Sequence, residues 1–413
     1  MDPIETPRPP FWRALLLRFG VLYWALFAIP VIFEQITASS KIGGPLMRAW
    51  HGMVGWVGDA GFGVALDFTE TGSGDRTGDW ISLLCIAVLA LVGSIAWALV
   101  DRRRRHDARL REGLRVFLRY TLAFIMLDYG LAKVFFGQFP PPGDYRLNEK
   151  YGDSSPMGLL WTFMGYSPAY VFFSGAAETL GATLLFFRRT TTLGALILFA
   201  VLTNVVLLNF CYDVPVKINS THYLIICVVL LAPELRRLAA FFLGRPTPAS
   251  FPRWSRALKY VVIAVFVYFP LRDSLDHPSL RQTWYSGYWM VSTFSRDGHD
   301  VSDATRWQRL KFEVDDDGPI ARWRNADESY GDLYDVTFDD AKHTMRFAPS
   351  TRDTPTHATG PIDFTYTRTG DDLELRGTVA GHALDVHLTH LVTTNTPLMS
   401  RGFHWINEFP FNR

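Results

Sequence analysis

Long apolar runs fill the chain up to about residue 275, and a different hydrophobic pattern follows them. A membrane-spanning helix needs about 20 mainly apolar residues, and about seven runs reach that length. The predicted spans are 14–36, 80–100, 114–136, 168–187, 192–211, 222–242 and 258–275. The pattern therefore predicts a polytopic α-helical membrane domain in the first two thirds of the chain.

Beyond these runs the hydrophobic period changes to two. Segments such as RWQRLKFEV, IDFTYTR and HALDVHLTHL alternate apolar with polar residues, and RDGH, RTGDD and VAGH supply turn signals. About eight short strands at hairpin spacing are typical of an antiparallel β-barrel or β-sandwich. We expect a transmembrane hairpin with its outer loop (1–112), a four-helix core (113–242), a seventh helix with a linker (243–280) and an all-β domain (281–413).

The distribution of basic residues predicts the orientation. Lys and Arg accumulate in loops on the cytoplasmic side of a membrane. With a cytoplasmic N-terminus, the arginine-rich segments 102–111, 188–189 and 236–237 fall inside, and the opposite loops hold few cations. Seven crossings then place the β domain outside the cytoplasm, on a cell inner or plasma membrane. The first run lacks a small-residue cleavage site, so we interpret it as a retained helix.

Net charge and cysteine content limit the possible binding partners and metal sites. The net charge is +1, and no basic stripe with interleaved aromatics argues for nucleic acid as a partner. The three cysteines, Cys85, Cys211 and Cys227, form no CxxC motif and lie in or beside apolar runs. Buried thiols are favoured over a Cys211–Cys227 disulfide, which stays open as an alternative, and a zinc site is unsupported.

Several polar side chains interrupt the apolar runs. Such residues are costly in lipid and usually mark functional positions. The candidates are Arg119, Asp128, Tyr129, Lys133, Glu178, Asn204, Asn209 and His222. The predicted topology puts most of them between the middle and the outer surface of the membrane. We expect Lys133, Glu178 and Asp128 to form the catalytic core, and the others to contact a cofactor or ligand.

Helical geometry selects the partner of Lys133. Asp128 lies five residues earlier, about 140° around the helix, so the two side chains occupy different faces. Glu178 lies among small residues, including Ser174 and Gly175, which let helices approach closely. We therefore predict a Lys133–Glu178 pair. The pair either holds the bundle together or lines a polar cavity that opens outward, where it would move protons near neutral pH.

Two stretches carry a family resemblance. RYTLAFIMLDYGLAKVF (119–135) and FMGYSPAYVFFSGAAETLGATLLFFRRTTTLGA (163–195) resemble the DoxX/DoxD-like superfamily of four-helix membrane proteins. Gly130, Lys133 and Glu178 fall at the positions of that family's short motifs. The resemblance implies a quinone-linked or thiol-linked membrane redox role. Because no CxxC is present, a quinone would have to carry the electrons.

The layout supplies a second resemblance. A helical membrane domain followed by an outward β-rich domain is similar to the vitamin K-dependent gamma-carboxylase and its HTTM-domain relatives. That likeness implies a membrane lysine acting with a quinol, and Lys133 would be the base.

Two functions follow as alternatives. One is a DoxX-like membrane oxidoreductase or a quinone- or lipid-site protein with its polar site in the helices. The other is a non-enzymatic membrane assembly or ligand-binding protein acting through its outer β domain. The expected partners are the lipid bilayer, a quinone or lipid, and other membrane subunits.

The last segments are less informative. In HALDVHLTHL, Asp385 and His387 share one strand face and His390 lies on the other, which is poor metal geometry, so we expect no metal site. The aromatic terminal stretch RGFHWINEFPFNR is expected to close the β domain or to pack on the membrane surface. The short apolar segment within 137–167 is expected either to roof a cavity or to anchor at the membrane interface.

Overall fold

The computed structural model divides the chain into two compact units. One consists of Met1–Arg245 together with Thr394–Arg413, and the other is Pro246–Thr393. The residues that the structure describes are 11–36, 43–69, 71–101, 107–143, 146–147, 149–244, 283–315, 318–327, 329–351, 360–392, 396–412 and scattered positions between 254 and 268. The seventh predicted span, 258–275, therefore lies largely outside the described residues.

The first unit is helical. Its helices are α1 (Phe11–Ile36), α2 (Gly43–Phe62), α3 (Thr77–Val100), α4 (Asp107–Val134), α5 (Pro156–Tyr166), α6 (Pro168–Leu185), α7 (Thr191–Cys211), α8 (Lys217–Leu231), α9 (Leu235–Phe242) and the short α10 (Pro397–Ser400). Among the described residues, three helices are long and apolar enough to cross a membrane: Phe11–Ala28 within α1, Thr77–Val100 and Thr191–Cys211. The count of seven spans stays a prediction.

The sixth predicted span, 222–242, is divided in the structure. Helix α8 ends at Leu231, a 3₁₀ turn covers Ala232–Glu234, and α9 follows. Pro233 explains the break, because proline lacks the N–H that a continuing helix needs. None of the residues of α9 is buried.

Helix α4 is the centre of the bundle. Leu118, Leu122 and Met126 are at most 2% exposed and belong to one apolar cluster with residues of α1, α6, α7 and α8. Glycines permit the closest crossing, between α4 and α6. A Cβ on Gly130 would lie 3.0 Å from the carbonyl oxygen of Gly175, and one on Gly175 would lie 2.7 Å from that of Gly130. The predicted small-residue face of α6 is therefore a helix contact.

Charged side chains mark opposite ends of α3. At its C-terminal end, the Arg18 guanidinium of α1 lies 2.7 Å from Asp101 and 3.2 Å from Asp107, which begins α4. At its N-terminal end, Asp75 lies 3.6 Å from the Nζ of Lys217, which begins α8. Helix α1 therefore runs antiparallel to α3, and α8 begins at the end of α3 opposite to the one where α4 begins.

The second unit is an antiparallel β-barrel. Its strands are β1 (Gly287–Arg296), β2 (His299–Asp300), β3 (Trp307–Asp315), β4 (Gly318–Asn325), β5 (Tyr334–Asp339), β6 (Thr344–Pro349), β7 (Ile362–Thr369), β8 (Asp372–Val379) and β9 (His382–His390). Neighbours in sequence pair, and β1 also pairs with β9, which closes the sheet. The two-residue β2 pairs with the end of β1, so eight longer strands form the barrel. The barrel alternative of the sequence prediction is confirmed.

Alternate residues of each strand fill the barrel interior. On β8 and β9, Leu373, Leu375, Leu384, Val386 and Leu388 are buried while the residues between them are more exposed. Aromatic side chains occupy much of the remaining core, namely Trp289, Phe294, Trp307, Phe312, Phe347 and Phe364. The interior is therefore packed with side chains.

The C-terminal segment differs from expectation. Residues 396–412, which we call the strap, belong to the helical unit and not to the barrel. The indole Nε1 of Trp80 at the start of α3 donates to the carbonyl of Trp405 at 3.1 Å. Glu408 accepts the backbone N–H of Thr77 at 3.1 Å, next to the α3 N-terminus. The barrel is thus closed by β1–β9 pairing, without the aromatic tail.

Candidate functional site

Lys133 and Glu178 form a buried ion pair between α4 and α6. The distance from Lys133 Nζ to Glu178 Oε2 is 2.7 Å, and the side chains are 7% and 1% exposed. The Gly130–Gly175 crossing brings them together: a Cβ on Gly175 would lie 2.7 Å from that of Lys133. The predicted pairing is confirmed.

A cavity of about 190 Å³ lies beside this pair. Its polar lining includes Lys133, Glu178, Ser174, Gln138, Asn204, Asn209, Asn219 and Ser220. Its apolar and aromatic lining includes Met126, Phe139, Leu160, Trp161, Phe163, Met164, Leu202, Leu208, Val214 and Val216. The volume is below the roughly 300–1,000 Å³ of sites for drug-sized ligands, so it suits a headgroup better than a whole amphiphile.

Three further predicted residues line this cavity. Tyr129 lies beside Lys133, whose Nζ is 5.6 Å from the ring centroid. Asn209 is buried and donates from its side chain to the Ser220 hydroxyl at 2.9 Å. Asn204 is exposed at the cavity lining. The exposed Phe163 and Tyr170 also line it, so the cavity opens on this side of the bundle.

The other three predicted residues lie outside the lining. Asp128 is on an exposed face of α4, which agrees with its angular offset from Lys133. The Arg119 guanidinium stacks over the ring of Tyr120 at 4.6 Å. Arg119 lies about four helical turns before Lys133. Neither Asp128 nor Arg119 is among the residues that line the cavity.

His222 is enclosed by aromatic rings. Its Nε2 lies 2.7 Å from the Tyr23 hydroxyl, and its Nδ1 lies 2.7 Å from the carbonyl of Ile218. The ring stacks on Phe27 with centroids 4.3 Å apart. His222 therefore joins α8 to α1, and we correct its expected place beside the ligand.

Sequence reasoning missed part of the cavity wall. Gln138 follows α4, and its buried Oε1 has no hydrogen-bond partner among the described residues. Trp161 and Met164 come from α5. This is the apolar segment that the sequence predicted either to cover a cavity or to lie at the membrane interface. Their place in the lining fits the first interpretation. The only sequence signal was the apolar, Trp-bearing character of α5.

A second polar cluster lies at the N-terminal end of α8. The Asp75 carboxylate accepts the backbone N–H groups of Lys217 and Ile218 at 2.8 and 2.9 Å and so caps the helix. The Nζ of Lys217 lies 3.2 Å from Asp213. Burial raises the pKa of Asp75 above its ordinary value, although these hydrogen bonds oppose that effect.

Asp213 binds the strap. Burial disfavours its ionised form, but hydrogen bonds from Asn407 and the His404 backbone, together with Lys217, outweigh it and hold the pKa of Asp213 below its ordinary value. Arg401 also contacts this carboxylate at 2.7 Å. The sequence carried no signal for the distant partners of Asp213 and Lys217.

A third cluster lies on the outside of the barrel. Glu374, Asp385 and His387 place ligand atoms within 4.8 Å of one another. The guanidinium of Arg376 contacts Glu374 and lies 3.2 Å from Asp385. An arginine between the two carboxylates neutralises them, which disfavours a cation at this position. His390 packs on Trp289 at 4.9 Å, apart from this cluster.

Fold and site together define a helical bundle with a buried ion pair at a cavity, joined in sequence to a closed antiparallel barrel. The three cysteines are free thiols, so the structure has no Cys211–Cys227 disulfide; Cys85 and Cys227 are buried as predicted, but Cys211 is exposed. Over 148 residues, 36% of this chain, the sequence is 36% identical to the uncharacterized protein YwoB of Bacillus subtilis strain 168 and covers 94% of it. The chain therefore belongs to the YwoB family. No protein-family model and no solved structure matches the chain.

Proposed function

We propose that the helical unit spans a membrane and binds the headgroup of a quinone- or lipid-type amphiphile beside Lys133 and Glu178, as a DoxX-like membrane protein. The observation that carries this proposal is a buried ion pair in the wall of a cavity whose other lining is largely aromatic and aliphatic. A polar end in an apolar cavity suits an amphiphile. The cavity opens at Asn204, Phe163 and Tyr170, and the apolar tail of the amphiphile would extend through this opening.

The residues present fit a quinone headgroup. A bound quinone would supply electron transfer, which the separate thiols of this chain do not. Lys133 would donate a hydrogen bond to a ligand oxygen, and the buried Oε1 of Gln138 would accept one from a ligand hydroxyl. Glu178 would hold Lys133 in place and exchange protons with it. Under this proposal the protein is a membrane oxidoreductase or redox component.

The same proposal places the N-terminus in the cytoplasm and the barrel outside it, with other membrane subunits as partners. The alternation of helix ends around α3 and the arginine-rich loops support this orientation. The alternative function, an assembly or ligand-binding role for the barrel, receives less support, because the barrel interior is filled by side chains.

Variants of the ion pair test the ligand site. We expect Lys133→Met and Glu178→Gln to weaken binding of decylubiquinone by about tenfold or more, because each removes a charge-assisted hydrogen bond in a buried site. Binding is measured by quenching of tryptophan fluorescence in nanodiscs. Asp128→Asn, a carboxylate change on the same helix outside the cavity, is the matched control and is expected to bind normally.

A double variant separates binding from folding. Removing one partner of a buried pair leaves the other charge uncompensated, which costs about 3–5 kcal/mol, whereas replacing both with apolar residues is often neutral. Lys133→Met/Glu178→Leu is therefore expected to fold with nearly normal stability and not to bind decylubiquinone. If this variant is stable and binds as tightly as the wild type, the pair is structural and the proposed site is wrong.

A further inference from the structure

The chain returns to the helical unit after the barrel. Strand β9 ends at His390, and the strap begins a few residues later with the short helix α10. The barrel is thus inserted in the sequence between the bundle and a segment that completes it. Residues from both ends of the strap contact two segments that also line the cavity.

The first of these segments follows α7. Asp213, which is 4% exposed, accepts hydrogen bonds from the Arg401 Nε at 2.8 Å, the His404 backbone N–H at 3.1 Å and the Asn407 side chain at 3.1 Å. Asp213 has a φ of +51°, a left-handed conformation that Asp tolerates better than most residues. The next residues of this turn include Val214, which lines the cavity.

The second segment begins α5. The Ser155 hydroxyl accepts the backbone N–H of Gly158 at 2.9 Å, which caps α5, and donates to the carbonyl of Phe411. The strap end is held further by Arg146, whose guanidinium donates to Asn412 at 2.5 Å. A Cβ on Gly152 would lie 3.1 Å from the Cγ2 of Thr396, so the strap also packs closely ahead of α5.

These two segments meet in one apolar cluster. Val214 is buried together with Met157, Leu160 and Met164 of α5 and with Phe139. All of these residues except Met157 line the cavity. The strap therefore joins two parts of one wall. Its polar contacts connect residues far apart in sequence: 188 residues separate Asp213 from Arg401, and 256 separate Ser155 from Phe411.

We propose that the strap is a closing element for the cavity: while it is docked on Asp213 and Ser155, the 213–216 turn and α5 close that wall, and its release opens the cavity. The proposal rests on the proposed function for the identity of the ligand, but not for the movement itself.

The test reads strap docking and cavity access separately. Arg401→Gln removes the two guanidinium contacts with Asp213 Oδ2. The matched control is Arg376→Gln, which removes guanidinium contacts with carboxylates on the barrel. Hydrogen–deuterium exchange of 396–412 reports docking. Cavity access is read in nanodiscs as the rate at which a charged, water-soluble maleimide labels Ser174→Cys in a Cys85→Ala/Cys211→Ala/Cys227→Ala background.

We expect Arg401→Gln to speed exchange in the strap and to raise the labelling rate about tenfold, as loss of a hydrogen bond to a charged group implies. Arg376→Gln is expected to change neither. If exchange shows that the strap is released but the labelling rate of Ser174→Cys stays within about twofold of that in the parent, the proposal is wrong. A strap that stays protected in Arg401→Gln and in Arg401→Gln/His404→Ala/Asn407→Ala also overturns it, since Asp213 then does not hold the strap.

Binding of decylubiquinone to the parent protein distinguishes the two proposals. If it fails to bind while strap release still raises labelling, the closing role stands and the quinone ligand is rejected. If it binds, its dissociation is expected to be about tenfold faster in Arg401→Gln. Unchanged dissociation with a released strap would contradict the closing role and leave the ligand site standing.

Discussion

The Lys133–Glu178 pair is a poor source of stability. Taking two charges out of water costs several kcal/mol per ion, and their attraction offsets this only when the geometry is good. Their contact distance of 2.7 Å is favourable. Packed apolar residues of similar volume would nevertheless stabilise the bundle as much. A charged pair placed at a cavity therefore favours a role in binding over a role in folding. Asp128, exposed on the other face of α4, takes no part in this pair.

Asp213 predicts an acid-sensitive strap. The charged and titratable groups that face it are Lys217, Arg401 and His404. Because the pKa of Asp213 is lowered in the folded state, its contribution is complete above the ordinary Asp value of about 3.9 and is lost as the pH falls through the lowered value. We expect exchange in 396–412, corrected for its intrinsic pH dependence, to stay slow at mildly acidic pH and to increase below about pH 4.

The control for this prediction is Asp213→Asn, which keeps the side-chain shape. It is expected to weaken strap docking at neutral pH and to remove the acid response. If the strap of Asp213→Asn is docked at neutral pH and released only on acidification, the acid response belongs to another titratable group.

The helices pack by small residues at defined crossings. Gly130 lets α4 touch α6, and on the α7 side a Cβ on Gly194 would lie 2.8 Å from the carbonyl of Gly181. In the proposed membrane setting there is no hydrophobic force between helices, so this close packing and the buried polar contacts would hold them together. Lys133 lies one turn from the Gly130–Gly175 crossing. The geometry of the Lys133–Glu178 pair therefore depends on how closely α4 and α6 approach.

Two glycines on α4 give a paired test of this packing. Gly130→Ala is expected to destabilise the bundle by about 1–3 kcal/mol and to weaken ligand binding, because the new Cβ would lie 2.5 Å from Thr179 Oγ1. Gly113→Ala meets nothing within 4 Å and is expected to be neutral or stabilising by up to about 1 kcal/mol. Thermal unfolding in detergent measures both. Equal effects of the two substitutions would contradict the packing argument.

The molecule joins two units that fold by different patterns. The bundle is built from helices with an apolar core around α4, and the barrel is closed by hydrogen bonds between its first and last strands. The strap belongs to the bundle although the barrel precedes it in sequence. Removal of the strap would therefore affect the bundle, while the closed barrel keeps all its strands.

The predicted orientation is open to a direct test. A reporter fused after Arg413 is expected to lie outside the cytoplasm, so alkaline phosphatase should be active there and green fluorescent protein dark. The control is the same pair of reporters inserted between Arg188 and Arg189, which is expected to give the opposite result. A cytoplasmic reading after Arg413 would overturn the seven-crossing arrangement.

Periodicity in the sequence was enough to predict a helical part followed by an all-β part of about eight strands, because side-chain alternation follows from local backbone geometry. It also predicted that Lys133 and Glu178 pair, since helical spacing excluded Asp128 and a small-residue face marked the neighbouring helix. The interruption of the sixth predicted span at Pro233 and Glu234 was also visible in the sequence, and α8 ends at Leu231, just before it.

Contacts between distant segments depended on tertiary structure. Barrel closure by β1 and β9, the capping of α8 by Asp75, and the docking of Arg401 on Asp213 each join residues whose local patterns do not refer to one another. The aromatic tail could equally have packed on the barrel, because apolar character specifies burial but not the surface that provides it. Local geometry determines which face of an element is apolar, and only packing of the whole chain selects the face it meets.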